Sequence, residues 1–179
     1  MAMTVCSAAV LALAVLTLSF LPALALDEDC TYVVYVRTGT IWKAGTDSVI
    51  SVNFTDVDGN SLFINSLTEW GGYLQEEDRD YFEGGNLDIF AGLGDCLVTA
   101  LCGMNLISDG SGDYHGWYVN YVEVTMTGAH ITPLQHEFEV ERWLATDTYP
   151  WSLTFESDVC QDYQSKKAIK ERGSHQSAS

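Results

Sequence analysis

Basic residues are scarce in this chain. Between Asp27 and Cys160 there are four, Arg37, Lys43, Arg79 and Arg142, against 23 Asp and Glu, and the full 179-residue chain carries a formal charge of −17 at pH 7. Such a surface excludes nucleic acid as a partner, because binding it requires cations that neutralise phosphates. It also repels anionic lipid, which Lys and Arg normally attract. Any membrane contact must therefore use bridging cations or inserted apolar side chains. Long apolar runs are lacking too: beyond the first 25 residues no stretch is long enough to span a bilayer. Catalytic motifs fail when tested against their spacing. His136-Glu137 begins like His-Glu-x-x-His, but Val140 stands where the second zinc ligand belongs. Residues 109–113, Asp-Gly-Ser-Gly-Asp, lack the Gly-x-Ser-x-Gly spacing, and no strand-to-helix elbow follows. Residues 56–60, Asp-Val-Asp-Gly-Asn, miss the calcium-loop spacing and read as a hairpin turn. There is no Cys-x-x-Cys zinc pattern and no Gly-rich phosphate loop. No catalytic constellation emerges, and the chain reads as a non-enzyme with no required cofactor.

What is present begins with residues 1–25, uncharged and apolar from about Ala8 to Leu21. Pro22 precedes Ala23-Leu24-Ala25, a small-x-small sequence that suits signal peptidase. This reads as a cleaved secretory signal, with an uncleaved anchor as the alternative. The final residues, His175 to Ser179, form no retrieval signal, so secretion is the default destination. Cys6 leaves with the signal, and Cys30, Cys96, Cys102 and Cys160 remain. An even count in an oxidising compartment predicts two disulfides. Three pairings are open; the favoured one is Cys96–Cys102 as a short staple with Cys30–Cys160 tying the domain ends.

Hydrophobicity alternates with period two and shows little helical periodicity. Eight segments read as strands: 31–38, 48–55, 61–67, 86–92, 101–108, 117–125, 136–144 and 151–157. In the second, Ile50, Val52 and Phe54 share one face and Ser51, Asn53 and Thr55 the other. In the seventh, Glu137, Glu139 and Glu141 alternate with Phe138, Val140 and Arg142, giving one wet and one mostly dry face. Short strands separated by Gly, Asp and Ser turns predict an all-β, antiparallel β-sandwich over residues 26–160. The longest gap, 68–85, reads as a functional or mobile loop. Residues 161–179 are polar and basic and read as a disordered or frayed tail.

The loops hold the candidate binding residues. Asp109 and Asp113 flank flexible glycines and suit calcium, which takes six to eight oxygens at adaptable spacing. The competing reading is a tight turn in which Asp accepts local backbone N–H bonds. His115 has no His or Cys partner at metal spacing and reads as a turn or packing residue. Trp42, Trp70, Tyr73 and Leu74 are candidates for insertion at a membrane or partner surface. Tyr81 and Phe82 either join them or cover the sandwich edge. Asn53-Phe54-Thr55 is a glycosylation sequon on the predicted polar face.

Four phrases, in order, carry a family resemblance: CTYVVYVRTGTIWKAGTDS (30–48), DYFEGGNLDIFAG (80–92), CGMNLISDGSGDYHGWYVNYVEV (102–124) and VERWLATDT (140–148). Together they resemble secreted plant PLAT-domain proteins, small stand-alone relatives of the lipoxygenase and bacterial alpha-toxin sandwich domain. The resemblance covers about Cys30 to Cys160. It implies eight strands in two four-stranded sheets, no catalytic centre, contact with lipid or protein, and an association with plant stress responses. It also allows residence in the endoplasmic reticulum. In some members the loops at one end bind calcium through a Gly-Thr-Asp turn, here Gly45-Thr46-Asp47. Calcium-binding members often place a carboxylate two residues before that Gly, where this chain has Lys43. Asp80, and Asp109 or Asp113, are similar to the family's other acidic loop positions.

Overall fold

The computed structural model describes residues 29–74 and 79–165. The expected signal (1–25) and residues 166–179 of the expected tail lie outside the described residues. Eight strands form: β1 (Cys30–Thr38), β2 (Ile50–Asp56), β3 (Ser61–Ile64), β4 (Leu87–Gly94), β5 (Leu101–Ser108), β6 (Trp117–Thr127), β7 (Leu134–Leu144) and β8 (Thr154–Asp158). They make two four-stranded sheets, ordered β4-β1-β6-β7 and β3-β2-β5-β8. Every paired neighbour is antiparallel. The predicted β-sandwich is therefore the fold.

Alternation decides the packing. Ile50, Val52 and Phe54 are buried while Ser51, Asn53 and Thr55 stand half-exposed. The two inner faces meet through Phe54 and Phe138, whose rings stack at 6.1 Å. Tyr32, Phe90 and Trp117 fill the rest with branched side chains from β1 and β6. Each fully buried Val, Leu or Phe here contributes about 1.5–3 kcal/mol over its exposed state. The two buried polar ends have partners: Trp117 Nε1 donates to Thr38 Oγ1 at 3.0 Å, and Tyr32 Oη donates to the Asp95 carbonyl while accepting from Leu97 N. Burial pushes the Tyr32 phenol above its usual pKa.

The structure corrects three sequence expectations. The third segment does not run as a strand to Leu67. Ser66 accepts from Glu69 N and caps a short helix α1 (Leu67–Gly71), followed by a 3-10 turn (Gly72–Leu74). Ser66-Leu67-Thr68-Glu69 has the Ser-x-x-Glu spacing of a helix start, a local signal that outweighs strand propensity. The expected loop 68–85 is thus partly a docked helix. A Cβ on Gly71 would lie 2.5 Å from Ala91 N, so only glycine lets α1 sit this close to β4.

The second correction concerns the disulfides. They join Cys30–Cys96 and Cys102–Cys160, not Cys96–Cys102 and Cys30–Cys160. Strand register is the cause. Cys30 lies opposite Gly94, so Cys96, two residues further, falls beside it. Gly103 lies opposite Asp158, which brings Cys160 to Cys102. Each bridge ties an edge strand to a central strand of its own sheet.

The third concerns the tail. Residues 160–165 are helical, and Gln164 Nε2 donates to the Val57 carbonyl at 3.0 Å. The bridge at Cys160 anchors that start of the tail against the sandwich.

Candidate functional site

Strand polarity gathers four connections at one end of the sandwich: 39–49, 79–86, 109–116 and 145–153. Backbone bonds stitch three of them together. Thr46 N donates to Phe82 O, Asp47 N to Tyr114 O, Tyr118 N to Ala44 O, and Gly85 N to Gly39 O. Ser48 Oγ adds a bond to Ser111 O at 2.8 Å. The rim is a woven unit rather than independent loops.

Its anchor is Asp88, fully buried at the start of β4. Its carboxylate accepts from Arg79 Nε and from Phe82 N, both at 2.8 Å, and pairs with the Arg79 guanidinium at 2.6 Å. This clasp drives Phe82 into the core, where it meets Phe90 at 5.5 Å and Trp117 at 5.2 Å. Tyr81 packs on Phe90 at 5.3 Å and donates its hydroxyl to the Gly72 carbonyl. Both aromatics cover the sandwich edge, the second of the two readings for them.

Above this anchor lies an open cleft of about 330 Å³, lined by Trp42, Lys43, Asp47, Asp80, Glu83 and Tyr114. Trp42 is 86% exposed. Lys43 holds a left-handed φ of 61° in the tight turn closed by Ala44 N on Ile41 O. One Asp47 carboxylate oxygen accepts from Tyr114 N at 3.1 Å. Burial, then the charges of Asp80 and Asp47, raise the Glu83 pKa above the usual carboxylate value. Negative charge is therefore crowded at this point.

The structure separates the other candidates. Gly45 lines the cleft by close approach, its position for a Cβ only 3.1 Å from Gly84 N. Thr46 is buried, and its hydroxyl accepts from Ser48 N. Asp109 Oδ1 accepts from Ser111 N at 2.9 Å and from Val49 N at 3.0 Å, and these bonds, Ser111's above all, lower its pKa. Its carboxylate serves the turn. Asp113 is exposed beside His115, in a neighbouring depression with Asp147, whose carboxylate lies 3.9 Å from His115 Nε2. Among the described residues, no three His, Cys, Asp or Glu side chains converge as a ready-made metal-ligand set.

Trp70 lies elsewhere. It packs over Gly92 and donates Nε1 to Leu93 O on the edge strand β4, so it is half-buried support for α1. Tyr73 is exposed on the adjoining turn and bonds back to Glu69 O, and Leu74 ends that turn. Asn53 sits half-buried on the outer face of the second sheet, its Oδ1 buried without a hydrogen-bond partner. Sequence reasoning missed Glu83 and the Arg79–Asp88 clasp. The available signal was one Arg alone in an acidic loop.

Glu83 yields a pH prediction. Its pKa is raised in the fold, so its stabilising effect is complete below the unfolded value near 4.5 and is lost as pH rises through the folded value. Glu83→Gln therefore raises Tm at pH 7 by about 1–2 °C, the scale of a weak surface interaction. The gain disappears by about pH 4. Calorimetric melts at the two pH values check this; an equal gain at both contradicts it.

The comparisons place this geometry in a family. A PLAT/LH2 domain model matches residues 32–155. PLAT domain-containing protein 1 of Arabidopsis thaliana is 54% identical over 134 residues, 75% of this chain and 74% of that protein. PLAT domain-containing protein 2 of the same plant is 51% identical over 139 residues, 77% and 75% of the two chains. PLAT domain-containing protein 3 is 53% identical over 105 residues, 58% of this chain and all of that one. Among solved structures, a LOX in complex with arachidonate superposes with a TM-score of 0.50 at 22% identity. It covers 72% of this chain, which spans only 16% of that LOX; this likeness concerns the fold alone. With the matched residues running from β1 into β8, the chain belongs to the PLAT/LH2 domain family.

Proposed function

We propose that this PLAT protein is a non-catalytic contact module whose loop end meets lipid head groups at a membrane surface with the help of calcium. The observation that carries the reading is the juxtaposition of Trp42, 86% exposed, with the carboxylates of Asp47, Asp80 and Glu83 in one cleft. A cation there offsets the crowding that raises the Glu83 pKa. The residues fit calcium in part: these three carboxylates are oxygen donors of the required kind but do not converge as a ready-made set, Asp109 is spent on its turn, and Lys43 stands in the same cleft. Bound calcium would cancel local charge and let an aromatic side chain enter the interface. The two disulfides support a life in the secretory pathway, outside the cell or in the endoplasmic reticulum. Likeness to the Arabidopsis proteins supports a plant setting, and a stress-response role belongs to the same proposal.

The test is flotation of the disulfide-intact protein with liposomes, with calcium and with chelator. Calcium-dependent flotation is expected, with Trp42→Ala reducing the bound fraction about fivefold or more, the scale of losing one interfacial aromatic. Absence of flotation in both conditions rejects the reading. A specific observation favours a second one: the Lys43 ammonium already supplies positive charge to the cleft. On that reading the module binds partner proteins without calcium or lipid. Partner retention in a pull-down, with no vesicle binding, distinguishes it.

A further inference from the structure

A second concave surface lies on the outer face of the first sheet, where β6, β7 and the 145–153 connection meet. It is a groove of about 430 Å³ lined by Tyr118, Glu141, Arg142, Trp143, Tyr149 and Pro150. We infer that this groove binds a quaternary ammonium group of the choline type, held by aromatic walls and the Glu141 carboxylate.

The groove follows from the register. Val119 pairs with Arg142 and Tyr121 with Glu139, so Val140 and Glu141 together stand opposite Asn120 in a β-bulge. Glu141 takes a left-handed φ of 45°, a conformation that costs a non-glycine residue energy and persists only where surroundings enforce it. Here Asn120 Nδ2 donates to both carboxylate oxygens, at 2.9 and 3.0 Å, and Tyr118 Oη donates to Oε2 at 3.2 Å. The bulge thus fixes a carboxylate on the wall of an aromatic groove.

Tyr118 and Trp143 meet edge to face at 5.5 Å on one side. On the other, Tyr149 and Trp151 are 72% and 65% exposed and meet at right angles at 5.2 Å. Their connection is held out rigidly: Ala145 N donates to Ser152 O at 2.9 Å and Trp151 N to Thr148 O at 2.7 Å. Two large aromatics kept in water by a braced turn fit a binding role better than a packing role.

Chemistry selects the occupant. Arg142, the one basic residue lining the groove among the described residues, has its guanidinium over the Phe155 ring at 5.6 Å, on strand β8 of the other sheet. The Tyr118 and Asn120 donors are committed to Glu141, so an anion entering the groove would face a carboxylate while the Arg142 guanidinium lies over Phe155. Aromatic faces with one fixed carboxylate are the recognition elements of an alkylated ammonium, which needs no directed hydrogen bonds. The strongly acidic chain favours a cation as well.

The site stands apart from the acidic cleft and does not rest on the calcium reading, so chelator separates the two. The full chain is titrated with choline chloride in chelator and followed by tryptophan emission and ligand-detected NMR. Saturable binding is expected, with 3,3-dimethylbutanol, the neutral isostere, at least about tenfold weaker. Trp143→Ala and Tyr149→Ala each lower affinity about tenfold and Glu141→Gln about fivefold. Tyr149 is exposed, and an unchanged near-ultraviolet spectrum for its variant confirms the fold. Vesicles of phosphatidylcholine and of phosphatidylglycerol identify the source. Tyr149-dependent flotation with the first alone assigns the group to a lipid head group. Choline binding without flotation assigns it to a free small molecule. No saturable choline binding, equal binding of the isostere, or full affinity in the Tyr149 and Trp143 variants overturns the proposal.

Discussion

Replacing Cys30 and Cys96 together by Ala lowers folding stability by about 4 kcal/mol, and replacing Cys102 and Cys160 does the same. The magnitude comes from loop closure. The bridges span sequence separations of 66 and 58 residues, and holding loops of that length closed in the unfolded chain removes the many conformations in which their ends lie apart. The effect has a local side as well. Cys30–Cys96 holds the edge strand β4 on β1, and Cys102–Cys160 holds the edge strand β8 on β5. A bridge between Cys96 and Cys102 would close so short a loop that its loss would cost only about 2 kcal/mol. Urea unfolding of the two double variants, with non-reducing peptide maps of the parent, tests this. A peptide joining Cys96 to Cys102 contradicts it, and so does a loss well above about 4 kcal/mol, because with that pairing each double variant would break both bridges.

Asp88→Ala is expected to cost about 3 kcal/mol and to loosen the loop end selectively. Removing one partner of a buried pair is expensive because the other group loses its compensation. Here Arg79 keeps some access to water, which moderates the loss, but the buried Phe82 N–H loses its acceptor outright. Phe82 holds a left-handed φ of 61°, a strained state maintained by this bond and by its contacts with Phe90 and Trp117. Without the carboxylate, the 79–86 connection has little reason to keep Phe82 inside. Asp88→Asn retains an acceptor for Phe82 N and is expected to lose about half as much. Denaturant titration measures the totals, and amide exchange locates the change. Fast exchange confined to 79–86 and its neighbours supports the argument. A cost under about 1 kcal/mol would show that the clasp is dispensable.

The two substitutions also mark the boundary of what the sequence discloses. Ile50, Val52 and Phe54 announce a half-buried strand because period-two alternation is a property of a few adjacent residues. The eight strands were legible from such alternation together with β-branched composition and turn residues, although the third ends at Ile64. The disulfide pairing was not, because it depends on which strands become neighbours, and Cys96 and Cys102 are close in sequence but lie at different sheets. Among the site residues, Asp47 and Asp80 were identified and do share a cleft, whereas Asp109 turned out to serve its own turn. Trp42 and Trp70 look alike in sequence. One is exposed and the other half-buried because only Trp70 has a glycine, Gly92, across from it to lie upon. The bulge that presents Glu141 leaves no mark in the alternation of β7, since the irregularity appears only in pairing with β6.

β7 forms one margin of the first sheet and is 11 residues long, with no ninth strand hydrogen-bonded beyond it among the described residues. An open margin of that length is a template on which a second molecule could extend the sheet indefinitely. Glu137, Glu139 and Glu141 repeat along it at every second position. A second β7 laid alongside would bring carboxylate against carboxylate at the spacing where like charges repel. The same residues that keep one face of the strand wet therefore oppose extension of the sheet from this margin.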